Sequence, residues 1–142
     1  MRGKAVLDAS VIVALVVPED YSEWAEKKVS EYEELHVLEL TLYEVYNALW
    51  KKYALLREIN KENLKNAVKA VDSLLSICNI HRFEIVKDRA LKIAISYRIT
   101  IYDAAYLALT EFLDGVLVTT DIRLKAKLVN IQLNKIIVAP RS

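Results

Sequence analysis

The sequence predicts an α/β fold, a three-layer α/β/α sandwich on a mostly parallel sheet of about five strands. Short apolar runs of strand length alternate with longer segments whose apolar residues recur at helical spacing. When helices separate successive strands in this way, the strands pair in parallel and helices cover both faces of the sheet. Apolar residues make up 54% of the chain, which is enough to bury such a sheet on both sides.

The predicted strands are short apolar runs bounded by polar or turn residues. Residues 4–8 are apolar up to a carboxylate, as in a buried parallel strand, and residues 116–120 follow the turn signal Asp114-Gly115. The five predicted strands cover residues 4–8, 35–40, 80–86, 116–120 and 135–138.

The predicted helices carry apolar stripes and recognisable ends. Pro18 ends the first helix, Asn60 caps the helix whose stripe runs from Leu64 to Cys78, and Asp121 caps the last. The other helices are predicted over residues 10–17, 21–34, 41–56, 88–97 and 102–112, and the last helix ends near residue 129.

The composition predicts a single domain over residues 1–142, because no linker, repeat or low-complexity segment divides the chain. The one cysteine, Cys78, excludes an internal disulfide and fits a reducing compartment. Asp8 and Ser10 interrupt the N-terminal apolar stretch, and no run reaches the ~18 uncharged residues of a membrane span. We therefore expect a cytoplasmic protein without a membrane partner. The net charge of +1 neither indicates nor excludes nucleic-acid binding.

Four acidic residues, Asp8, Glu44, Asp103 and Asp121, lie at predicted junctions next to helices. In a parallel sheet the ligand site lies beyond the carboxyl ends of the strands. Asp8 and Asp121 end predicted strands, and the helix of Glu44 directly follows a strand. The helix of Asp103 follows another helix, so the pattern alone does not place it at this edge.

Three of these acids also have a structural interpretation as helix caps. Thr41 with Glu44 forms a capping-box pattern, Thr100 with Asp103 forms an acidic variant of it, and Asp121 suits an N-cap. Either interpretation, capping or ligand binding, is open for each acid taken alone.

Asp8 is not explained by capping, because it interrupts the apolar run VLDASVIVAL and an unpaired buried carboxylate is costly. A shared cation explains all four acids together. Carboxylate oxygens suit Mg²⁺ or Mn²⁺.

At these residues the sequence resembles the PIN domain, and within it the VapC-type toxin ribonucleases of prokaryotic toxin–antitoxin pairs. The similar segments span nearly the whole chain and read VLDASVIVAL, LTLYEVYNAL, TIYDAAYLAL and LVTTDIRL. They place Asp8, Glu44, Asp103 and Asp121 in the family's four acid positions. The resemblance implies cleavage of single-stranded RNA with one or two Mg²⁺ or Mn²⁺ ions, a small VapB-like antitoxin partner and a homodimer.

The residues themselves indicate how hydrolysis would proceed. No His or Cys lies in the four segments, so the nucleophile would be a metal-activated water. We expect Asp8 and Asp103 to be the chief metal ligands, with Glu44 and Asp121 on a second ion or on metal-bound waters. Three neighbouring side chains are candidates for orienting these carboxylates: Ser10, Asn47 and Thr120. For Asn47 a solvated position is an equal alternative.

The RNA-binding surface is not defined by the sequence. Basic residues that could contact phosphates, or could simply be solvated, are Lys51, Lys52, Arg123, Lys125 and Lys127. Tyr43 and Tyr102 flank the acids and would stack on bases or pack in the core. Both histidines, His36 and His81, are expected in strands and not at the site.

Two other functions fit the same pattern. One is a nuclease for structured RNA or DNA, and the other is a non-catalytic PIN-like binding module. Assays on labelled substrates separate the first from the ribonuclease, and an effect of Mn²⁺ on melting argues against the second.

Overall fold

The computed structural model describes residues 3–141, in which five strands alternate with seven α-helices. The strands are β1 (Lys4–Leu7), β2 (Glu34–Leu38), β3 (Cys78–His81), β4 (Val116–Val118) and β5 (Ile137–Val138). The helices are α1 (Ala9–Val16), α2 (Ser22–Val29), α3 (Glu39–Trp50), α4 (Lys61–Leu75), α5 (Lys87–Tyr97), α6 (Ile101–Leu113) and α7 (Ile122–Lys127). A π-helical turn, Lys51–Leu55, extends α3, and 3₁₀ turns cover Phe83–Ile85 and Gln132–Ile136.

All five strands are parallel, and their order across the sheet is β3-β2-β1-β4-β5. The chain builds outward from β1 through β2 to β3, and then crosses to the other side of β1 to form β4 and β5. The direction of winding therefore reverses between β1 and β4, where Leu7 pairs with Val118. In doubly wound sheets the crevice at this switch point, beyond the carboxyl ends of the strands, is the ligand site.

The sheet separates two apolar cores, which confirms the three-layer prediction. Val6, on β1, packs with Leu107 of α6 in the core beneath α5, α6 and α7. Ala5 and Leu7, on the opposite face of the same strand, pack with Ile12 in the core beneath α1 to α4. The central strands β1, β2 and β4 are thus buried by helices on both sides, as continuous apolar runs require, whereas the edge strand β3 is largely exposed.

Several predicted boundaries are wrong. The helix predicted over residues 21–34 ends at Val29, and Glu34 already begins β2. The strand predicted over residues 35–40 ends at Leu38, and α3 begins at Glu39, two residues before the predicted start. The last strand is shorter than residues 135–138, because a 3₁₀ turn covers residues 132–136.

The third strand is displaced from its predicted position. It covers Cys78–His81 instead of residues 80–86, and Phe83 and Ile85 lie half-exposed in a 3₁₀ turn. Cys78 therefore belongs to β3 and not to the stripe of the preceding helix. It is half-buried, and burial raises the pKa of its thiol to about 11, which keeps it protonated.

The predicted N-cap of α4, Asn60, is present. The Asn60 side chain accepts a hydrogen bond from the Asn63 N–H at 2.8 Å, and the Asn63 side chain accepts from the Asn60 N–H at 3.3 Å.

Among residues 3–141, no helix combines the length and apolarity needed to cross a membrane.

Gly115 lies where α6 turns into β4, and it allows β4 to approach β1 closely. A Cβ atom at this position would lie 2.5 Å from the backbone oxygen of Lys4. We expect Gly115→Ala to lower the free energy of unfolding by about 1–3 kcal/mol, because the backbones of two central strands must separate. Denaturant unfolding measures the change.

Gly3→Ala is the matched control, since no atom lies within 4 Å of a Cβ atom there. Equal effects of the two substitutions would contradict the assigned contact.

Candidate active site

Asp8 lies at the switch point, directly after β1, and its carboxylate is held by three donors. It accepts hydrogen bonds from the Ser10 hydroxyl at 2.6 Å, the Val11 N–H at 3.2 Å and the Thr119 hydroxyl. The bond from Val11 makes Asp8 the N-cap of α1. Asp8 is therefore fixed in position by Ser10 and Val11, which follow β1, and by Thr119, which follows β4.

The loops after β1 and β4 are tied together by the same hydroxyl groups. The Thr120 N–H donates to the Ser10 hydroxyl at 3.0 Å, and the Asp121 N–H donates to the Thr119 hydroxyl at 2.9 Å. Ser10, predicted as an orienting residue, does contact Asp8. Thr120, the other residue predicted to orient Asp8, contributes only its backbone N–H, which donates to Ser10. The neighbouring residue Thr119 makes the contact instead: it is fully buried and its hydroxyl donates to Asp8.

Burial raises the pKa of Asp8 to about 6. The three hydrogen bonds favour the charged form but do not offset the loss of hydration, and the negative charge of Asp121 raises the pKa further. The site therefore holds a carboxylate whose charge is poorly compensated by the protein alone.

Glu44 is positioned by a hydrogen bond across the two helices α3 and α6. The Tyr106 hydroxyl donates to the Glu44 carboxylate at 2.5 Å. The predicted capping box of Thr41 with Glu44 is wrong, because α3 begins earlier and its N-cap is Leu38. The Thr41 hydroxyl instead accepts from the Leu38 N–H at 3.2 Å.

These contacts form a directed chain of hydrogen bonds. The single proton of the Tyr106 hydroxyl goes to Glu44, so the Tyr106 oxygen, 2.8 Å from Thr41, accepts the proton of the Thr41 hydroxyl. Thr41 in turn accepts from the Leu38 N–H. Thr41 and Tyr106 are both buried. Tyr106 was not predicted from the sequence, although it follows Asp103 by three residues and so shares its side of α6.

The pKa of Glu44 is raised, chiefly by burial. The hydrogen bond from Tyr106 lowers it, and the charge of Asp103 raises it further. Glu44 and Asp103 therefore lie close enough to sense each other's charge.

Asp103 and Asp121 complete the row of acids. Thr100 caps α6 by accepting from the Asp103 N–H at 3.1 Å, which confirms Thr100 as the cap. A hydrogen bond with the Thr100 side chain also lowers the pKa of the Asp103 carboxylate. Burial and the charge of Asp121 raise the pKa of Asp103, while Lys127 and Arg123 lower it. Asp121 caps α7 as predicted and also accepts from the Arg123 side chain at 3.2 Å.

The four acids thus form a coupled row in the order Asp8, Asp121, Asp103 and Glu44. Within residues 3–141, no three His, Cys, Asp or Glu side chains are arranged so that all could hold one ion. The donors therefore do not form a closed cage. They fit a hard cation such as Mg²⁺, which binds one or two carboxylates and keeps several of its waters.

The other predicted candidates have different positions. Asn47 is exposed on α3. Lys125 donates to the backbone oxygens of Asn134 and Ile137, so it supports the turn before β5. Lys52 is paired with two glutamates, at 2.7 and 3.1 Å. Of the basic residues, Arg123 and Lys127 are exposed and act on the acids.

The two histidines lie in strands, as predicted, and contact each other. His36 of β2 and His81 of β3 are stacked, with ring nitrogens 2.8 Å apart, and His36 also bonds Glu34 at 3.0 Å. They form a polar contact between neighbouring strands.

Comparison with known proteins gives three related findings. The PIN domain family profile matches residues 5–127. Ribonuclease VapC3 of Pyrobaculum aerophilum is 43% identical over 127 residues, which are 87% of this chain and 94% of that protein. Exonuclease VapC9 of the same organism is 34% identical over 127 residues, 89% of this chain and 87% of that protein.

A solved structure shows the same fold. A chain in a toxin–antitoxin complex from Klebsiella pneumoniae superposes with a TM-score of 0.69 at 18% identity, covering 97% of this chain and 98% of that chain.

Tyr106→Phe removes the donor to Glu44 and leaves the ring in place. We expect the pKa of Glu44 to rise further, because the lost hydrogen bond favours the charged carboxylate. The free energy of unfolding should fall by about 0.5–1.5 kcal/mol. Carboxyl NMR titration and denaturant unfolding measure the two effects. Tyr53→Phe, on the half-exposed π turn, is the control, and an unchanged Glu44 titration in Tyr106→Phe would contradict the assignment.

The raised pKa of Asp8 also predicts how stability depends on pH in the metal-free protein. Protonated Asp8 stabilises the fold below its ordinary pKa of 3.8, and this contribution is lost as pH rises through about 6. Asp8→Asn cannot ionise, so it should gain about 1–3 kcal/mol over the wild type between about pH 4 and about pH 7. Urea unfolding at each pH measures this gain. If the unfolding free energies of Asp8→Asn and the wild type differ by the same amount at about pH 4 and about pH 7, the charge on Asp8 does not destabilise the fold.

Proposed function

Since this chain belongs to the PIN domain family, we propose that it is a divalent-metal-dependent endoribonuclease acting on single-stranded RNA. The observation that carries the proposal is the coupled row of acids at the switch point, with the carboxylate of the half-buried Asp8 desolvated and insufficiently neutralised. A relative that is 43% identical over nearly its whole length is named a ribonuclease.

Asp8 and Asp103 are the residues we propose to hold the ion, Mg²⁺ or Mn²⁺, with Glu44 and Asp121 as further oxygen donors or as acceptors for its waters. When bound, such an ion supplies Lewis-acid stabilisation of the charge that develops on the phosphate. The protein's part is to hold the carboxylates in fixed positions, which Ser10 and Thr119 do for Asp8.

Substrate binding and proton transfer are proposed for the remaining polar groups. Arg123 and Lys127 place two positive charges beside Asp103, where they would attract a phosphate. Glu44 has a raised pKa and one oxygen fixed by Tyr106, so it suits the acceptance of a proton from the attacking water.

The proposed partners follow from the same assignment. A small VapB-like antitoxin is proposed because a chain of this fold occurs in a toxin–antitoxin complex from Klebsiella pneumoniae. One side of α3 and its π turn carries exposed aromatic side chains that an apolar helix, or a second copy in a homodimer, would cover: Tyr43, Tyr46, Trp50 and Tyr53. We propose the cytoplasm as the compartment, since RNA and antitoxin would be met there.

A second candidate is an exonuclease, because the relative that is 34% identical is named one. A circular single-stranded RNA distinguishes the two, since it has no end. We expect Mn²⁺- or Mg²⁺-dependent cutting of the circle and no cutting in EDTA. Cleavage of the linear form alone would favour the exonuclease, and cleavage of duplex RNA or DNA in its place would favour a different nuclease.

Asp103→Asn should reduce metal-dependent cleavage by at least about 100-fold, because a charged ligand is lost where the ion is needed. The metal-free variant should be at least as stable as the wild type, since a like charge is removed from the row. Initial rates on a labelled RNA and thermal melting measure the two effects.

Asp114→Asn is the matched control on the same helix. Asp114 is the exposed left-handed C-cap of α6, a conformation that asparagine also adopts, so its substitution should leave the cleavage rate unchanged. A lower melting temperature of Asp103→Asn with cleavage retained would instead mean that Asp103 serves the helix and not catalysis.

A further inference from the structure

An apolar cavity of about 230 Å³ opens between α3, α6 and the 3₁₀ turn after β3. Its wall is almost entirely carbon. The lining residues are Leu38, Leu40, Phe83, Ile101, Tyr102 and Ala105. The rings of Phe83 and Tyr102 are 43% and 55% exposed, so they stand at the mouth of the cavity and not in its floor.

The cavity lies next to Glu44, one of the four acids of the site already described. Leu40 lies one turn before Glu44 on α3, and Tyr102 lies one turn before Tyr106 on α6. Each therefore shares a helix face with one partner of the Tyr106–Glu44 hydrogen bond. A nucleic-acid strand whose phosphate lay at Glu44 and Asp103 would therefore have a neighbouring base within reach of this cavity.

On the premise of the proposed ribonuclease function, we propose that the cavity receives one unstacked nucleobase of single-stranded RNA, next to the phosphate at the acids. Phe83 and Tyr102 are assigned as the stacking residues. Single-stranded RNA is bound in this way by proteins that splay a base out and stack it on aromatic rings.

Size and wall chemistry favour a base over a protein segment. The volume is below the ~300–1,000 Å³ of pockets for drug-sized ligands, which suits one planar ring system. The wall offers almost no hydrogen-bonding atoms, so a peptide backbone entering it would leave N–H and C=O groups unpaired. A base can bury its face there and keep its polar edge toward solvent.

The same wall predicts how selective the subsite is. Base identity is read by hydrogen bonds to base edges, and the cavity offers almost no partner for them. The subsite is therefore expected to require a base at one position of the RNA without specifying which base it is.

The test measures binding of single-stranded RNA in an Asp8→Asn background, where the RNA stays intact. Phe83→Leu and Tyr102→Leu keep apolar side chains and remove the rings. Each should weaken binding about tenfold, equivalent to ~1.4 kcal/mol. Phe83→Tyr keeps a ring and should bind like its parent. Phe112→Leu, an exposed ring near the C-terminal end of α6, is the control and should have no effect.

RNAs with a single abasic nucleotide locate the base. At one position the abasic RNA should bind the parent about tenfold more weakly and should lose nothing further with Phe83→Leu. The base subsite would be overturned if the affinity losses from the abasic nucleotide and from Phe83→Leu simply added at every position, or if the Leu variants bound RNA like their parent. The cavity would then be a site for an apolar protein side chain. Cleavage by the wild-type protein is assayed separately, so failure of the subsite and failure of the ribonuclease function give different results.

Discussion

The structure depends on one electrostatic constraint, which is the burial of a carboxylate at the point where the sheet changes its winding direction. Because β1 and β4 are neighbours, the loops that follow them bring Asp8 and Asp121 together at the same edge. Burial raises the pKa of Asp8 to about 6, and three hydrogen bonds do not offset that burial. A protein without a cation at this site would gain stability by replacing the acid, and this supports the proposal of a ligand of opposite sign.

Around this charge, hydroxyl groups hold the acids at fixed positions. Ser10 and Thr119 bond Asp8 and also accept backbone N–H groups from the β4 loop. On the other side, Thr41 and Tyr106 carry a chain of hydrogen bonds from the start of α3 to Glu44. Both arrangements lie within or beside apolar cores, where an unpaired polar atom is costly, so they fix the side chains more firmly than surface contacts would.

The fold could be predicted from the sequence because it depends on local pattern, whereas the pattern alone did not place Asp103 beside the other acids. Alternating strands and helices gave the parallel sheet, and an acid inside an apolar run marked Asp8. Tyr106 and Thr119 could not be identified, because their hydrogen bonds reach residues 62 and 111 positions away. The displaced third strand has a similar cause. It is an exposed edge strand, so its burial pattern is weak, and the apolar residues Phe83 and Ile85 that suggested a strand lie in a 3₁₀ turn.

Proton release on binding of Mn²⁺ tests the central claim most directly, and calorimetry in buffers of different ionisation enthalpy measures it. If the ion neutralises the strained carboxylate, binding at about pH 6 should release at least about half a proton per ion, since Asp8 is then half protonated. The release from Asp8 should disappear above about pH 8, where this carboxyl is already charged. Binding at pH 6 without proton release, or no binding at all, would contradict the account.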